Sequence, residues 1–254
     1  MPNDAREWEQ WAARDPYFAV LTEERFRAAN LNREALASFF ASGTAYVAFL
    51  QSLLRDRFAS SLPLRRILDF GCGVGRLTIP FARVAEDVVA VDVSRAMLVE
   101  ARRNAEDAGV TGIRFLHVDE FLREELTPFD LVNSYITFQH VPPRQGELLY
   151  DKLLSGVRPS GFAAIHLLHS RPGPLWKRIA ARLRANVPAA NAIANLLLGK
   201  PIRTPYMRME PYDVNRFLRS LQKQGYGHAH SLFTDHGGYR GVLVVASRAS
   251  DHVP

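Results

Sequence analysis

The chain has 254 residues, of which 47% are apolar and 23% are charged, as is typical of a globular protein with a sizeable core. The single cysteine, Cys72, excludes an internal disulfide and a zinc site built from several cysteines. The N-terminal ten residues carry acidic side chains and no apolar run, and no stretch approaches the roughly 18 uninterrupted apolar residues of a membrane span. These features predict a cytoplasmic protein with one large α/β domain and a modest appendage.

The positive charge of the chain is concentrated in one segment. The net charge is +6, yet the segment from Arg171 to Met209 contains eight Lys or Arg residues and no Asp or Glu, which leaves −2 for the remainder. Such a local concentration argues against a surface that coats nucleic acid, and it favours a local contact with an anion or a membrane. The eight are Arg171, Lys177, Arg178, Arg182, Arg184, Lys200, Arg203 and Arg208.

The order of the predicted elements indicates two parts, an N-terminal helical extension over 1–60 and an α/β domain over 61–254. In the extension, Asp15-Pro16 is expected to break a first helix, and Gly43 to end a second helix before Thr44 starts a third. The remainder alternates short apolar runs with helical stretches, which predicts βαβ units and a doubly wound, mostly parallel sheet. Seven strands are expected near 66–70, 88–92, 113–118, 130–136, 162–168, 228–234 and 241–247. The link over 235–238 is too short for a crossover, so the last strand is expected to be antiparallel.

A glycine-rich turn provides the most specific chemical signal. The segment Ile67–Leu77, ILDFGCGVGRL, predicts a strand, a turn and the start of a helix. Glycines allow positive φ angles and a close approach of the backbone to a ligand. The spacing G-x-G-x-G differs from the G-x-G-x-x-G of dinucleotide-binding proteins, in which a helix N-terminus faces a pyrophosphate. Asp69 would repel a pyrophosphate and suits a ligand with an ammonium group, so the pattern disfavours a dehydrogenase.

The next three predicted strands also end in polar residues. Asp92 closes the second strand, where a carboxylate can accept hydrogen bonds from both hydroxyls of a ribose. Asp119 follows the third strand and is placed to accept a hydrogen bond from the exocyclic amine of an adenine. Asn133 and Ser134 close the fourth strand. The carboxyl ends of parallel strands open onto the crevice where open α/β sheets bind ligands, so these groups are expected to meet there.

Four segments in this order resemble the class I S-adenosylmethionine (SAM)-dependent methyltransferases, the seven-stranded Rossmann-like family. They are ILDFGCGVGRL, VVAVDVSRAML, FDLVNSYITFQHVP and VRPSGFAAIHL, within residues 60–170. The resemblance implies SAM as cofactor, with Asp69 and Gly71 at the methionine end, Asp92 at the ribose, and Asp119 or Glu120 at the adenine. The expected cofactor-binding set is Asp69, Gly71, Cys72, Gly73, Gly75, Asp92, Val93, Met97, Asp119, Glu120, Phe121, Asn133 and Ser134.

The acceptor side is less determined. Family members that methylate nucleic-acid or protein amines often carry an Asn/Asp-Pro-Pro-aromatic run after the fourth strand, whereas this chain has Asn133-Ser134-Tyr135-Ile136. An oxygen acceptor is therefore favoured, and a hydroxyl usually needs a base. The candidate bases are His140, His169 and His236, the last with Asp235 as an orienting carboxylate. No His, Asp or Glu cluster has the spacing of metal ligands, so no metal is expected.

The basic segment is predicted to form a helical insertion over 171–209 that covers the acceptor. Residues 174–187 have the periodicity of an amphipathic helix, with an apolar face and a basic face. Its charge is compatible with an anionic acceptor, with a peripheral membrane contact through 174–198, or with a solvated basic face. The expected reaction is O-methylation of a small anionic, glycan or glycolipid-type molecule, without a nucleic-acid partner. A quinone, polyketide or nucleic-acid methyltransferase, or a SAM-binding module without turnover, are the alternatives. The oligomeric state is open.

Overall fold

The computed structural model describes residues 2–59, 63–125, 127–199 and 201–250. Its centre is a seven-stranded sheet with the strand order β3-β2-β1-β4-β5-β7-β6. The strands are β1 (Arg66–Phe70), β2 (Asp87–Asp92), β3 (Ile113–His117), β4 (Phe129–Ser134), β5 (Val157–Ser170), β6 (Tyr226–His236) and β7 (Tyr239–Arg248). Neighbours among β1 to β5 pair in parallel, and β7 pairs antiparallel with both β5 and β6. The predicted doubly wound, mostly parallel sheet with an antiparallel last strand is confirmed.

Ten α-helices and two short 3-10 helices are present in the described residues. The helices are α1 (Pro2–Arg14), α2 (Pro16–Val20), α3 (Arg33–Phe58), α4 (Thr78–Ala82), α5 (Arg95–Asp107), α6 (Val118–Arg123), α7 (Pro143–Ser155), α8 (Leu175–Asn186), α9 (Pro188–Leu197) and α10 (Val214–Lys223). The 3-10 helices are Glu24–Phe26 and Phe138–His140. The break at Asp15-Pro16 separates α1 from α2, as predicted. The division at residue 60 into two domains stays a prediction.

The predicted helix end at Gly43 is wrong, because α3 runs without interruption from Arg33 to Phe58. The glycine has a packing reason instead. A Cβ at position 43 would lie 2.0 Å from the carbonyl oxygen of Arg76, so only glycine lets the helix approach the backbone of the glycine-rich turn. Helix propensity alone treats an internal glycine as a cost, and here the tertiary contact outweighs that cost.

Helix α3 is also the one helix among the described residues that is long and apolar enough, by length and composition, to cross a membrane. Its apolar side is nevertheless used inside the protein. Val47, Leu50 and Leu54 are buried against Ile67 and Val88 of the sheet, in the cluster that fills one side of it. Helices α6, α7 and α10 contribute to the cluster on the opposite side. We therefore interpret α3 as a core helix of a three-layered α/β protein.

The insertion between β5 and β6 forms the helices α8 and α9, followed by an irregular stretch that leads to α10. That stretch is attached to the site end of the sheet. The backbone N–H of Glu210 donates to the carbonyl of Gln139, and the Tyr212 hydroxyl donates to the carbonyl of Val141 over 2.8 Å. The insertion is thus anchored beside the loop that follows β4.

Candidate functional site

A cleft lies at the carboxyl ends of β1, β2 and β4, and the glycine-rich turn forms its floor. The amides of Gly71 and Cys72 donate to the carbonyl of Val91, which ties the turn to β2. Gly71 and Gly73 have φ angles of +80° and +53°, a region that favours glycine. A Cβ at Gly71 would lie 2.2 Å from the side chain of Thr137, and Thr137 itself lines the cleft. The turn is therefore shaped for close contact with whatever the cleft binds.

Asp92 holds this turn against the next helix. One carboxylate oxygen accepts from the amide of Gly73 over 2.8 Å, and the other accepts from the amide of Ser94 over 2.9 Å. Ser94 in turn caps α5 by accepting from the amide of Met97. Burial raises the pKa of the Asp92 carboxyl, while its hydrogen bonds to backbone amides act in the opposite direction. Asp92 and Met97 line the cleft, together with Val93 between them.

Asp69 also lines the cleft, yet both of its oxygens are used within the protein. The Thr78 hydroxyl donates to one over 2.7 Å and the Asn133 amide donates to the other over 3.0 Å. Tyr46 completes the chain by donating to the Asn133 side-chain oxygen. Burial is the main reason why the pKa of Asp69 is raised. Asn133 is therefore placed behind Asp69, where it orients the carboxylate rather than lining the cleft.

Arg76 is a cleft residue that the sequence analysis did not single out. It directly follows Gly75, it is only 7% exposed, and it is the one cation within Ile67–Leu77. One guanidinium nitrogen donates to the Ser42 hydroxyl over 3.2 Å, whereas the buried Nε has no hydrogen-bond partner among the described residues. Burial lowers the pKa of Arg76, and nearby Asp69 opposes this. A buried, incompletely paired cation on the wall of a cleft suits an anionic ligand group.

The three predicted cofactor residues after β3, Asp119, Glu120 and Phe121, are not among the residues that line the cleft. Val118 lines the cleft, and Phe121 is buried in the core beside it. Asp119 and Glu120 are exposed. Glu120 accepts from the backbone N–H of His117 and from Arg95, and these hydrogen bonds lower its pKa. The question of which carboxylate reaches an adenine stays open.

The other predicted cofactor residues have structural roles at the same edge. Cys72 is buried and lines the cleft, and burial raises its pKa well above the ordinary value. Gly75 has a φ angle of +87° and packs against Ala101 of α5. The Ser134 hydroxyl donates to the carbonyl of Phe70 over 3.0 Å, which connects the ends of β4 and β1 behind the cleft.

The N-terminal helices supply one wall of the cleft. Trp8, Ala19 and Val20 line the cleft opposite the glycine-rich turn. Helix α1 is held there because the Glu9 carboxylate accepts from the amides of Arg95 and Ala96 at the start of α5. A pair of tryptophans at i, i+3 indicates only an apolar helix face, so the local pattern contained no signal for this contact.

His140 is the one predicted base among the described residues of the cleft lining. Its Nδ1 lies 2.6 Å from the carbonyl oxygen of Arg208, which can only accept, so Nδ1 carries the proton and Nε2 the lone pair. The Gln139 amide nitrogen lies 3.2 Å from Nε2, and the ring packs edge-on against Trp8. Burial lowers the pKa of His140 to about 4. The imidazole is therefore neutral and oriented at ordinary pH.

His169 and His236 do not meet His140 in this structure. His169 is half-buried near the end of β5 and packs against Phe233, while His236 ends β6 and contacts the ring of His166. Asp235 does not orient His236, since it accepts from the amide of Gly238 and stabilises the turn between β6 and β7. The described residues contain no group of three His, Cys, Asp or Glu side chains that could hold a metal ion.

The fold and this geometry agree with a known family. A family model described as a methyltransferase domain matches residues 67–161, over a third of the chain, from β1 into β5. Residues 67–161 are thus similar to methyltransferase domains. The match contains the glycine-rich turn, Arg76, Asp92 and His140. It agrees with the resemblance found in ILDFGCGVGRL and the segments that follow it.

The sequence relatives match only a part of this chain, and this chain matches only a part of each relative. The 23S rRNA (uracil(1939)-C(5))-methyltransferase RlmD of Burkholderia pseudomallei (strain 1710b) is 37% identical over 100 residues, which are 38% of this chain and 21% of RlmD. A second RlmD, from Burkholderia cenocepacia (strain HI2424), is 34% identical over 118 residues, 45% of this chain and 22% of that protein. The chain thus spans about a fifth of the length of these relatives.

Solved structures match the methyltransferase domain together with its flanking helices. The magnesium protoporphyrin IX methyltransferase ChlM from Synechocystis PCC 6803, with bound S-adenosylhomocysteine (SAH), aligns with a TM-score of 0.58 at 20% identity, over 94% of this chain and all of ChlM. The N-methyltransferase NodS from Bradyrhizobium japonicum WM9, also with SAH, aligns with a TM-score of 0.55 at 12% identity, over 97% and 98% of the two chains. At these identities the likeness concerns the fold.

Two buried histidines, His140 and His166, are expected to make the folded protein less stable in mild acid. Burial lowers the pKa of His140 to about 4 and that of His166 to about 3, whereas unfolded histidines titrate near 6.5. Between those values the unfolded chain binds more protons, so we expect the free energy of unfolding to fall as pH drops from about 6.5 towards 4, by up to about 1.4 kcal/mol per pH unit for each histidine. Denaturant unfolding at several pH values measures the slope.

His166→Gln provides the internal comparison for this prediction, because the two chains share every carboxylate. The variant is expected to lose stability less steeply than the wild type over the same pH range. Equal slopes would show that His166 is not held neutral in the folded protein.

Proposed function

We propose that the chain is a SAM-dependent methyltransferase that methylates a hydroxyl oxygen of a small, anionic or glycan-type acceptor. The observation that carries the proposal is the arrangement of Arg76 and Asp92 around the glycine-rich turn. When bound, SAM supplies a methyl group on a positively charged sulfonium, so that positioning accounts for much of the catalysis.

The cleft fits the separate parts of SAM. The guanidinium of Arg76, which lines the cleft, matches a carboxylate, and Asp69 beside it matches an ammonium group. Asp92, at the end of β2, suits a ribose, and the apolar side chains of Val118 and Met97 suit a planar base. Burial of Arg76 makes its charge effective, since little water competes for the guanidinium.

Oxygen methylation is supported by the state of His140. A neutral alcohol is a poor nucleophile, and a base that removes its proton during transfer typically contributes 10² to 10⁴-fold. The carbonyl of Arg208 fixes the Nδ1 proton, so Nε2 is the atom that can accept a hydroxyl proton. An acceptor hydroxyl would take the place of the Gln139 amide at Nε2.

The anionic character of the acceptor is inferred from the segment that carries Arg208. That segment contains eight cations and no carboxylate, and the carbonyl of Arg208 orients His140. None of the described residues in this segment lines the cleft, so its charge would attract an anionic acceptor through the electrostatic field rather than by direct contact. RlmD acts on RNA, but the shared segment is only the methyltransferase domain. Methylation of a quinone, polyketide or nucleic acid, or SAM binding without turnover, are therefore outcomes that the acceptor screen must separate.

Calorimetric titration tests the cofactor part of the proposal with a matched pair of ligands. SAH has the amino-acid end, whereas 5′-methylthioadenosine keeps the ribose and adenine but lacks it. We expect Arg76→Gln to weaken SAH binding by about 10-fold or more, as for the loss of one charged hydrogen bond, and to leave 5′-methylthioadenosine unaffected. Failure of the wild type to bind SAH would contradict the proposal.

The acceptor part is tested by transfer of radiolabelled methyl from SAM to sugar phosphates, nucleotide sugars, quinones, polyketides and RNA. Labelling of an anionic sugar hydroxyl supports the proposal. Labelling of RNA alone, or of a nitrogen or carbon atom, would contradict it. SAH binding without labelling of any acceptor would favour a module that binds SAM without turnover.

A further inference from the structure

The α8–α9 hairpin, residues 175–197, and the turn that follows it to residue 202 expose an unusual amount of apolar surface. Among the described residues, fourteen large apolar side chains are exposed, and eight of them lie between Trp176 and Ile202. Trp176 is 63% exposed, Leu196 65% and Leu197 81%. Single exposed apolar residues are ordinary on protein surfaces, but a contiguous group marks an interaction site.

The opposite side of the hairpin is polar and is joined to residues 202–206, which follow it in the chain. The Asn195 side chain is 1% exposed, and its amide donates to the carbonyls of Ile202 and Thr204. Arg184 donates to the side-chain oxygens of Asn191 and Asn195, and its guanidinium lies 5.0 Å above the ring of Tyr206. Polar contacts therefore hold this side of the hairpin, while Leu183, Leu196 and Leu197 are exposed to solvent. This is the reverse of a helix that packs on a protein core.

The positive charge of residues 171–209 indicates which kind of surface the hairpin would bind. Residues 171–209 contain eight cations and no Asp or Glu, whereas the remainder of the chain has a net charge of −2. Exposed leucines and a tryptophan in a segment of net positive charge match a phospholipid surface with anionic headgroups, which offers both an apolar interior and negative charge. A second copy of the same basic segment would be repelled.

A lid over the acceptor is less well supported in this conformation. The described residues that line the cleft include none from 171–209. We propose that the α8–α9 hairpin docks the protein on an anionic phospholipid surface, with Trp176, Leu196 and Leu197 inserted at the headgroup boundary. This proposal does not depend on methyl transfer.

Vesicle flotation tests the docking directly. We expect the wild type to bind vesicles of phosphatidylcholine with phosphatidylglycerol at least about 10-fold more strongly than vesicles of phosphatidylcholine alone, and to lose this preference at high salt. The double variant Leu196→Ser/Leu197→Ser is expected to lose at least about 10-fold in binding, since two leucine side chains would no longer be buried in the apolar interior of the membrane.

The double variant Val99→Ser/Leu148→Ser is the matched control. Both side chains are well exposed, at 63% and 73%, and lie on α5 and α7, away from the hairpin. It should bind vesicles like the wild type. Trp176 adds a local readout, because a blue shift of tryptophan emission on vesicle addition should disappear in Trp176→Phe. A cooperative thermal unfolding transition like that of the wild type verifies that the hairpin variants are folded. The single change Leu197→Ser serves as a milder second variant.

Three outcomes would overturn the proposal. The wild type could fail to bind anionic vesicles, or the hairpin variant could bind them as well as the wild type. Alternatively, the wild type could self-associate without binding vesicles and become monomeric on Leu196→Ser/Leu197→Ser, which would make a second copy the occupant of this surface.

Discussion

Replacing Asp92 by alanine is expected to weaken SAH binding by at least about 10²-fold, because two hydrogen bonds to a charged group at 1.5–3 kcal/mol each are lost at the ribose. The change also removes the acceptor for the amides of Gly73 and Ser94, which hold the turn against α5. Binding of 5′-methylthioadenosine should weaken in parallel with SAH, in contrast to Arg76→Gln. Calorimetric titration measures both ligands.

Asp87 provides the control for this experiment, since it begins the same strand that Asp92 ends. Its carboxylate pairs with Arg66 at the opposite edge of the sheet. Asp87→Ala should therefore leave SAH binding unchanged. Titration of Asp119→Ala and Glu120→Ala in the same series would show which carboxylate approaches the adenine. Unchanged binding by Asp92→Ala would contradict the assignment of the ribose to β2.

Replacing His140 by alanine is expected to reduce turnover by about 10²-fold or more, the usual contribution of a general base, while SAH affinity changes little. The reason is that the ring is oriented by the carbonyl of Arg208 and lines the cleft. Radiolabelled methyl transfer to the acceptor found in the screen gives kcat and KM. His169→Ala and His236→Ala are matched controls, because neither ring is among the described residues of the cleft lining.

The pH profile separates a base from a packing role. Burial lowers the pKa of His140 to about 4, and the catalytic form is the neutral one. Activity that depends on this group should therefore persist as pH falls below 6.5 and decline only near pH 4. A limb near 6.5 would indicate another histidine, and full activity of His140→Ala would exclude this base.

Patterns that are local in the chain were sufficient for the sheet and for part of the site. The buried runs of β1 and β2, the glycine spacing and Asp92 at a strand end depend on backbone geometry within a few residues, and the sequence records that geometry directly. The loop between β6 and β7 is equally local. Its length alone requires an antiparallel pair.

Other features depend on contacts between distant segments, which a single sequence does not encode. Gly43 was predicted to end a helix, and the close approach of Arg76 explains why a glycine stands inside α3. The role of Arg76 as an anion-binding group depends on its burial, which removes water from the guanidinium. Trp8 became a wall of the cleft because Glu9 binds the start of α5.

The three candidate bases show the same division between sequence and tertiary structure. Their strand positions place His140, His169 and His236 at the carboxyl ends of the strands. Sequence periodicity gives no further information on which of them enters the cleft. Only the packed structure decided that His140 is buried beside the glycine-rich turn, since its orientation depends on the carbonyl of Arg208, 68 residues further along the chain. By itself, the sequence determined a methyltransferase-like fold with a glycine-rich turn after β1 and a carboxylate at the end of β2. Tertiary packing decided which charges lie in the cleft and which apolar side chains remain exposed, because burial is a property of neighbours that are far apart in sequence.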